Sequence, residues 1–136
     1  EKLSHESHPD PKALREHLFG ERPVCEALIC EQGTIEEPDP IGFALFFTSY
    51  STFETKPCLY LEDLYVQERA RGLGAGKALL QTLAKIAVRR DCPRLDWAVL
   101  DWNTPAIGFY EKLGARLMSE RTTCRLEGDA LRHLGS

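Results

Sequence analysis

The stretch Val66-Gln67-Glu68-Arg69-Ala70-Arg71-Gly72-Leu73-Gly74-Ala75-Gly76-Lys77 decides the architecture. An apolar, strand-like run from Cys58 ends at Val66, and from Gly74 the pattern becomes helical. Gly76, Leu79, Leu80, Leu83, Ala84 and Ala87 recur at helical spacing, while Lys77, Gln81, Lys85 and Arg89 take the opposite face. Alternating glycines between strand and helix remove the side chains that would keep a ligand from the backbone. The free N–H groups and dipole at a helix start attract an anion, and Arg69, Arg71 and Lys77 add positive charge. On these grounds the turn is a phosphate or pyrophosphate site. The competing reading is a tight turn whose glycines only permit close packing.

Two familiar phosphate motifs fail here. A P-loop needs glycine at position 71 and serine or threonine at 78, where this chain has Arg71 and Ala78. A dinucleotide fingerprint needs glycine at position 77, where Lys77 stands, and it follows an early strand rather than a third one.

Working outward, Asp10 to Phe19 reads as a short helix capped by Asp10 with Pro11 in its first turn. Val24 to Cys30 and Ile41 to Tyr50 read as strands, separated by an acidic turn from Glu31 to Pro40. Ser51 to Pro57 is a loop, and Cys58 to Val66, apolar except at Glu62 and Asp63, is a central strand. Leu95 to Leu100 is a fourth strand. Asn103 or Thr104 caps a helix that runs to about Leu113 and stops at Gly114. Arg116 to Leu126 reads as a fifth strand or a broken pair, and Gly128 to Leu134 as a last helical turn or two. Short loops make the first three strands antiparallel. The strand–helix–strand unit from Cys58 to Leu100 requires a parallel crossover, so the expected fold is α/β (α+β), a mixed sheet flanked by helices.

The chain has 136 residues, 43% hydrophobic and 28% charged, which suits one globular domain over residues 1–136. A net charge of −4 argues against a nucleic-acid partner. No apolar run approaches the roughly 18 residues of a membrane helix. The five cysteines contain no C-x-x-C pair, and the four histidines lie near the two ends without a metal-ligand pattern. The expectation is no metal, small core thiols and a reducing, cytoplasmic setting.

Arg71-Gly72-Leu73-Gly74-Ala75-Gly76 resembles the R/Q-x-x-G-x-G/A signature of the GNAT N-acetyltransferase superfamily. Leu59-Tyr60-Leu61-Glu62-Asp63-Leu64-Tyr65-Val66 and Asp101-Trp102-Asn103-Thr104-Pro105-Ala106-Ile107-Gly108-Phe109-Tyr110 resemble its diamine (spermidine/spermine) and thialysine acetyltransferase branch. Phe19-Gly20-Glu21-Arg22-Pro23 and Gly42-Phe43-Ala44 extend the resemblance over nearly the whole chain.

The resemblance implies transfer of an acetyl group from acetyl-CoA to a primary amine of a small molecule. It assigns the pyrophosphate to Arg71, Gly72, Leu73, Gly74, Ala75, Gly76 and Lys77. It assigns the pantetheine arm to the strand edge at Leu64, Tyr65 and Val66, and a second cofactor contact to Asn103, Thr104, Pro105 and Ala106. A primary amine has a reference pKa of about 10.4 and must lose a proton to attack, while the departing thiolate gains from an acid. Tyr110 resembles the proton donor to the CoA sulfur; without the resemblance it reads as a core tyrosine. Glu62 resembles the amine-binding residue and candidate base, with burial expected to raise its pKa. Strand alternation would send Glu62 and Asp63 to opposite faces, and Asp63 either holds a loop or binds the amine. Glu1 lies at the boundary of the implied acceptor site.

The chain departs from the polyamine pattern in its acidic cleft. Only Glu54 is acidic in Ser49-Tyr50-Ser51-Thr52-Phe53-Glu54, and Arg121 in the late segment would repel a polycation. A diamino acid such as thialysine is therefore a rival to spermidine. Two other functions stay open: protein or peptide N-acetylation, and a non-catalytic acetyl-CoA sensor, against which the presence of both Glu62 and Tyr110 speaks. The resemblance also implies a homodimer with the late strand at its interface. It implies that about 25–30 residues, comprising a first strand and part of a first helix, precede Glu1.

Overall fold

The computed structural model describes residues 10–136. The chain divides into two compact units, one ending at Ala98 and the other running from Val99 to Ser136.

The first unit begins with helix α1 (Pro11–Phe19), which starts where the sequence places it. The Asp10 carboxylate accepts from the backbone N–H groups of Lys12 at 3.0 Å and Ala13 at 3.3 Å. Strands β1 (Glu26–Gly33), β2 (Pro38–Ser51) and β3 (Lys56–Val66) follow, then helix α2 (Ala75–Arg89) and strand β4 (Leu95–Asp96). The sheet order is β1-β2-β3-β4. The first three strands are antiparallel neighbours and β3 pairs with β4 in parallel, so the mixed sheet and the interior position of β3 are as expected.

Strand β1 starts at Glu26 rather than Val24 and β3 at Lys56 rather than Cys58, and three larger differences from expectation follow. The acidic turn is shorter: β1 runs on to Gly33 and β2 starts at Pro38, because Gly33 adopts φ +96° and Thr34 and Glu37 close the turn by exchanging hydrogen bonds. Strand β4 covers only Leu95–Asp96 and pairs with β3 at Leu59–Leu95 and Tyr60–Asp96. No strand forms between Arg116 and Leu126 among the described residues. Arg116, Glu120, Arg121 and Arg125 break any alternating apolar face, and the chain turns at Ser119–Glu120.

The core lies where α2 meets the sheet. Ala75, Leu79, Leu80, Leu83 and Ala87 of the helix are buried, as are Ala44 and Phe46 of β2 and Cys58, Leu59 and Leu61 of β3. Lys77, Gln81, Lys85 and Arg89 are exposed, as the periodicity predicts; Ala84, expected inside, is also exposed. Of the five cysteines, all unpaired, only Cys58 is fully buried; Cys25, Cys30 and Cys92 are half-buried and Cys124 is exposed. The core role expected of the thiols holds for Cys58, and Cys30 packs half-buried against the buried cluster of Ile41, Ala70 and Ala75.

The second unit contains α3 (Thr104–Lys112) and α4 (Gly128–Leu134). The Asn103 side chain caps α3 by accepting from the Ala106 N–H at 3.3 Å. The helix ends with Gly114 at φ +101°, Gly114 N–H donating to the Glu111 carbonyl and Ala115 N–H to the Tyr110 carbonyl. This 5→2 and 6→1 pair is a Schellman stop, which needs a left-handed residue after the cap.

Candidate functional site

The site begins with a defect in β3. Leu61 faces Phe46 and Asp63 faces Leu45, so Glu62 is an inserted residue in the β2–β3 ladder. Such a bulge bends the strand and removes strict alternation. Glu62 and Asp63 are therefore not forced to opposite faces, contrary to the period-2 argument. Glu62 is exposed and Asp63 half-buried, so the burial expected of Glu62 is not found.

Beyond the bulge, β3 runs on as Leu64, Tyr65 and Val66, all half-buried. The β4 ladder has stopped at Tyr60, so among the described residues no strand of the sheet continues along that edge. An unpaired edge offers N–H and C=O groups to an amide-bearing ligand arm.

The end of β3 is tied to the start of β2. Gln67 N–H donates to the Ile41 carbonyl at 2.7 Å, and the Gln67 side-chain amide donates to the Pro40 carbonyl at 3.1 Å. Arg69 holds Asp39 through two bonds of 3.0 and 2.7 Å and reaches the Gln67 side chain at 2.7 Å. Arg69, expected to offer charge to a phosphate, is instead committed to Asp39. That pairing keeps the Asp39 carboxyl below the usual carboxylate range, chiefly through the hydrogen bonds from Arg69.

The following turn bears on the two readings of its glycines. Gly72 and Gly74 have φ of +85° and +86°, a left-handed conformation that disfavours any side chain. A Cβ at either position would meet no atom of the described residues within 4 Å. Close packing therefore does not explain these glycines; the space over them is open. Gly74 caps α2 without any side-chain hydrogen bond. The first N–H groups of α2 thus lack a side-chain cap and border open space, the arrangement that receives an anion. Lys77 is exposed in the first turn of α2, and Arg71 is exposed just before the glycines. These features fit the pyrophosphate of acetyl-CoA.

In the second unit, Asn103, Thr104, Pro105 and Ala106 form the start of α3, with the Asn103 side-chain oxygen already used in capping. Tyr110 is half-buried on α3 rather than a core residue, and its ring lies 5.6 Å from that of Phe109. Glu1 lies outside the described residues. Among the described residues no cluster of histidine, cysteine and carboxylate groups could hold a metal ion, and no helix is long and apolar enough to cross a membrane.

Sequence reasoning missed Gly42, the Asp39–Arg69 pair and the bulge. Gly42 lets β2 approach the end of β3, since a Cβ there would stand 2.8 Å from the Tyr65 carbonyl oxygen. A glycine inside a strand pattern is the available signal for such an approach. Nothing local in the sequence marks the other two.

Known proteins resemble this chain in sequence and fold. The family model described as "Acetyltransferase (GNAT) family" matches residues 2–115. The chain is 38% identical over 141 aligned positions to the thialysine N-epsilon-acetyltransferase of Bos taurus, covering 98% of this chain and 82% of that protein. It is 48% identical over 90 residues to the L-ornithine N5-acetyltransferase of Arabidopsis thaliana, covering 66% of this chain but only 40% of that longer protein. Among solved structures, an integron cassette protein from the mobile metagenome of V. cholerae superposes with a TM-score of 0.78 at 29% identity, covering 96% of this chain and 80% of that one. The fold, the open glycine turn and these matches together show that the chain belongs to the GNAT acetyltransferase family, whose acetyl donor is acetyl-CoA.

Proposed function

We propose that residues 1–136 serve as one acetyltransferase domain that moves the acetyl group of acetyl-CoA to the primary amine of a small molecule, with the side-chain amine of a diamino acid as the leading acceptor. The observation that carries the donor half is the uncapped start of α2 behind two open, left-handed glycines. Arg71, Gly72, Leu73, Gly74, Ala75, Gly76 and Lys77 bind the pyrophosphate. The free edge at Leu64, Tyr65 and Val66 pairs with the pantetheine amides, and Asn103 to Ala106 give the second cofactor contact.

The amine nitrogen attacks the thioester carbonyl. A C–N bond forms, the C–S bond breaks, and the products are an acetamide and free CoA. Tyr110 donates a proton to the departing sulfur. Glu62 attracts the ammonium form of the acceptor and passes its proton toward water, an exposed bulge residue being well placed to exchange with solvent. Asp63 supports the same cation. The acceptor class is favoured by two relatives, one named for thialysine and one for ornithine, both amino acids with a side-chain amine. A homodimer and a cytoplasmic setting belong to the same reading; the first rests on the resemblance and the second on the cysteine pattern.

Thiol release from acetyl-CoA, measured with ornithine, thialysine, spermidine, putrescine and short peptides, tests the proposal. Preferred turnover of the two amino acids supports it. Preference for peptides replaces it with peptide acetylation, and CoA binding without release by any amine makes the chain a sensor.

A further inference from the structure

Three side chains stack at the end of β3, and of them the mechanism above uses only that of Arg71. Phe43 of β2 faces Tyr65 of β3 in register, with ring centroids 6.0 Å apart and planes tilted by 38°. The guanidinium carbon of Arg71 lies 5.8 Å from the centre of the Tyr65 ring. The Nε of Arg71 donates to the Val66 carbonyl oxygen at 3.0 Å. An exposed arginine ordinarily samples many rotamers, and ordering it on binding costs entropy. Here one face and one nitrogen are already held. The Nε contact leaves the two terminal nitrogens, the paired donors that match phosphate oxygens, outside that bond. Arg69, two residues earlier, differs: both its terminal nitrogens are taken by Asp39.

We propose that the Tyr65 side chain, braced by Phe43, is a positioning residue that holds Arg71 with its terminal nitrogens toward the cosubstrate's pyrophosphate. The inference rests on the acetyl-CoA reading and deepens it. The resemblance used Tyr65 only as a backbone position on the strand edge; here its ring sets the strength of anion binding through Arg71.

Calorimetric titration of the full chain with CoA and with S-acetylpantetheine, which lacks the pyrophosphate, tests this. Failure of the unsubstituted chain to bind CoA overturns the acetyl-CoA reading and the inference with it. Given binding, Tyr65→Leu weakens CoA by about two- to fivefold, the range for an exposed cation–π contact, and leaves S-acetylpantetheine unaffected. Tyr65→Phe restores the affinity, and Tyr65→Leu adds no loss once Arg71 is alanine. Phe43→Leu, which removes the brace alone, gives a smaller loss in the same direction and serves if Tyr65→Leu does not fold. Equal weakening of both ligands, a loss that persists without Arg71, or unchanged CoA binding in the folded leucine variants overturns the inference while the acetyl-CoA reading stands.

Discussion

Gly42 and the carbonyl oxygen of Tyr65 approach so closely that a methyl group on Gly42 would sit 2.8 Å from that oxygen. The nearest atom is backbone, so no side chain can swing aside. Gly42 is buried and pairs with Val66, the last residue of β3. Gly42→Ala must therefore push β2 away from the strand end that carries the phosphate turn. The expected cost is about 1–3 kcal/mol, the range for forcing an added methyl into a packed interior. Urea denaturation of the variant checks this; an unchanged midpoint would show that the strands separate freely here.

Gly74 presents the opposite case, where space is open but the backbone is left-handed. Gly74→Ala meets no neighbour, yet an L-residue at φ +86° costs about 1–2 kcal/mol. Its methyl would project into the space assigned to the pyrophosphate. CoA binding should fall by at least tenfold, since relaxing the strain also turns the N–H groups of the α2 start away from the anion. Calorimetry reads this directly. A destabilised variant with intact CoA affinity would assign the glycine to turn geometry alone.

Tyr110→Phe removes one hydroxyl and retains the ring beside Phe109. If that hydroxyl protonates the departing sulfur, turnover falls by about a hundredfold or more while CoA still binds. Stopped turnover with normal CoA titration is the expected pair of results. Unchanged turnover removes the acid assignment.

Glu62 is an exposed, inserted residue, which favours holding the incoming cation over acting from a dry pocket. Glu62→Gln should raise the amine KM more than it lowers kcat, leaving the CoA KM in place. Steady-state kinetics with either substrate varied separates these. A loss confined to kcat would instead make proton removal, rather than holding the cation, the main role of Glu62.

The parts of the molecule legible in the sequence are those fixed by local rules. Asp10 and Asn103 cap their helices as side-chain chemistry requires, Gly114 stops α3, and the α2 periodicity places Leu79, Leu80 and Leu83 inside. The glycine turn from strand to helix was legible because its elements are contiguous. The bulge at Glu62 was not, since register depends on how β2 and β3 fit each other and no single strand encodes it. Arg69 looked equivalent to Arg71 in the sequence; only the fold reveals Asp39, thirty positions away, as its partner. The expected strand from Arg116 to Leu126 failed because a few apolar residues between charges do not define a buried face.

Glu26 on β1 and Arg90 after α2 supply a pH-dependent tie between sheet and helix. Both terminal nitrogens of Arg90 reach the carboxylate at 2.8 Å, and these hydrogen bonds hold the Glu26 carboxyl below the usual range despite partial burial. A carboxyl depressed in the folded state binds fewer protons folded than unfolded, so its contribution is complete above the unfolded value of about 4.3 and fades as pH falls through the lower folded value. Both side chains are substantially exposed, which limits the contribution to about 0.2–1 kcal/mol. Denaturant midpoints of the unsubstituted chain and of Glu26→Gln, compared from pH 7 down to pH 3, should therefore differ most at neutral pH and converge in acid. A gap that stays constant over that range would show that the pair contributes through shape rather than charge, because glutamine keeps the side-chain length but not the ionisation.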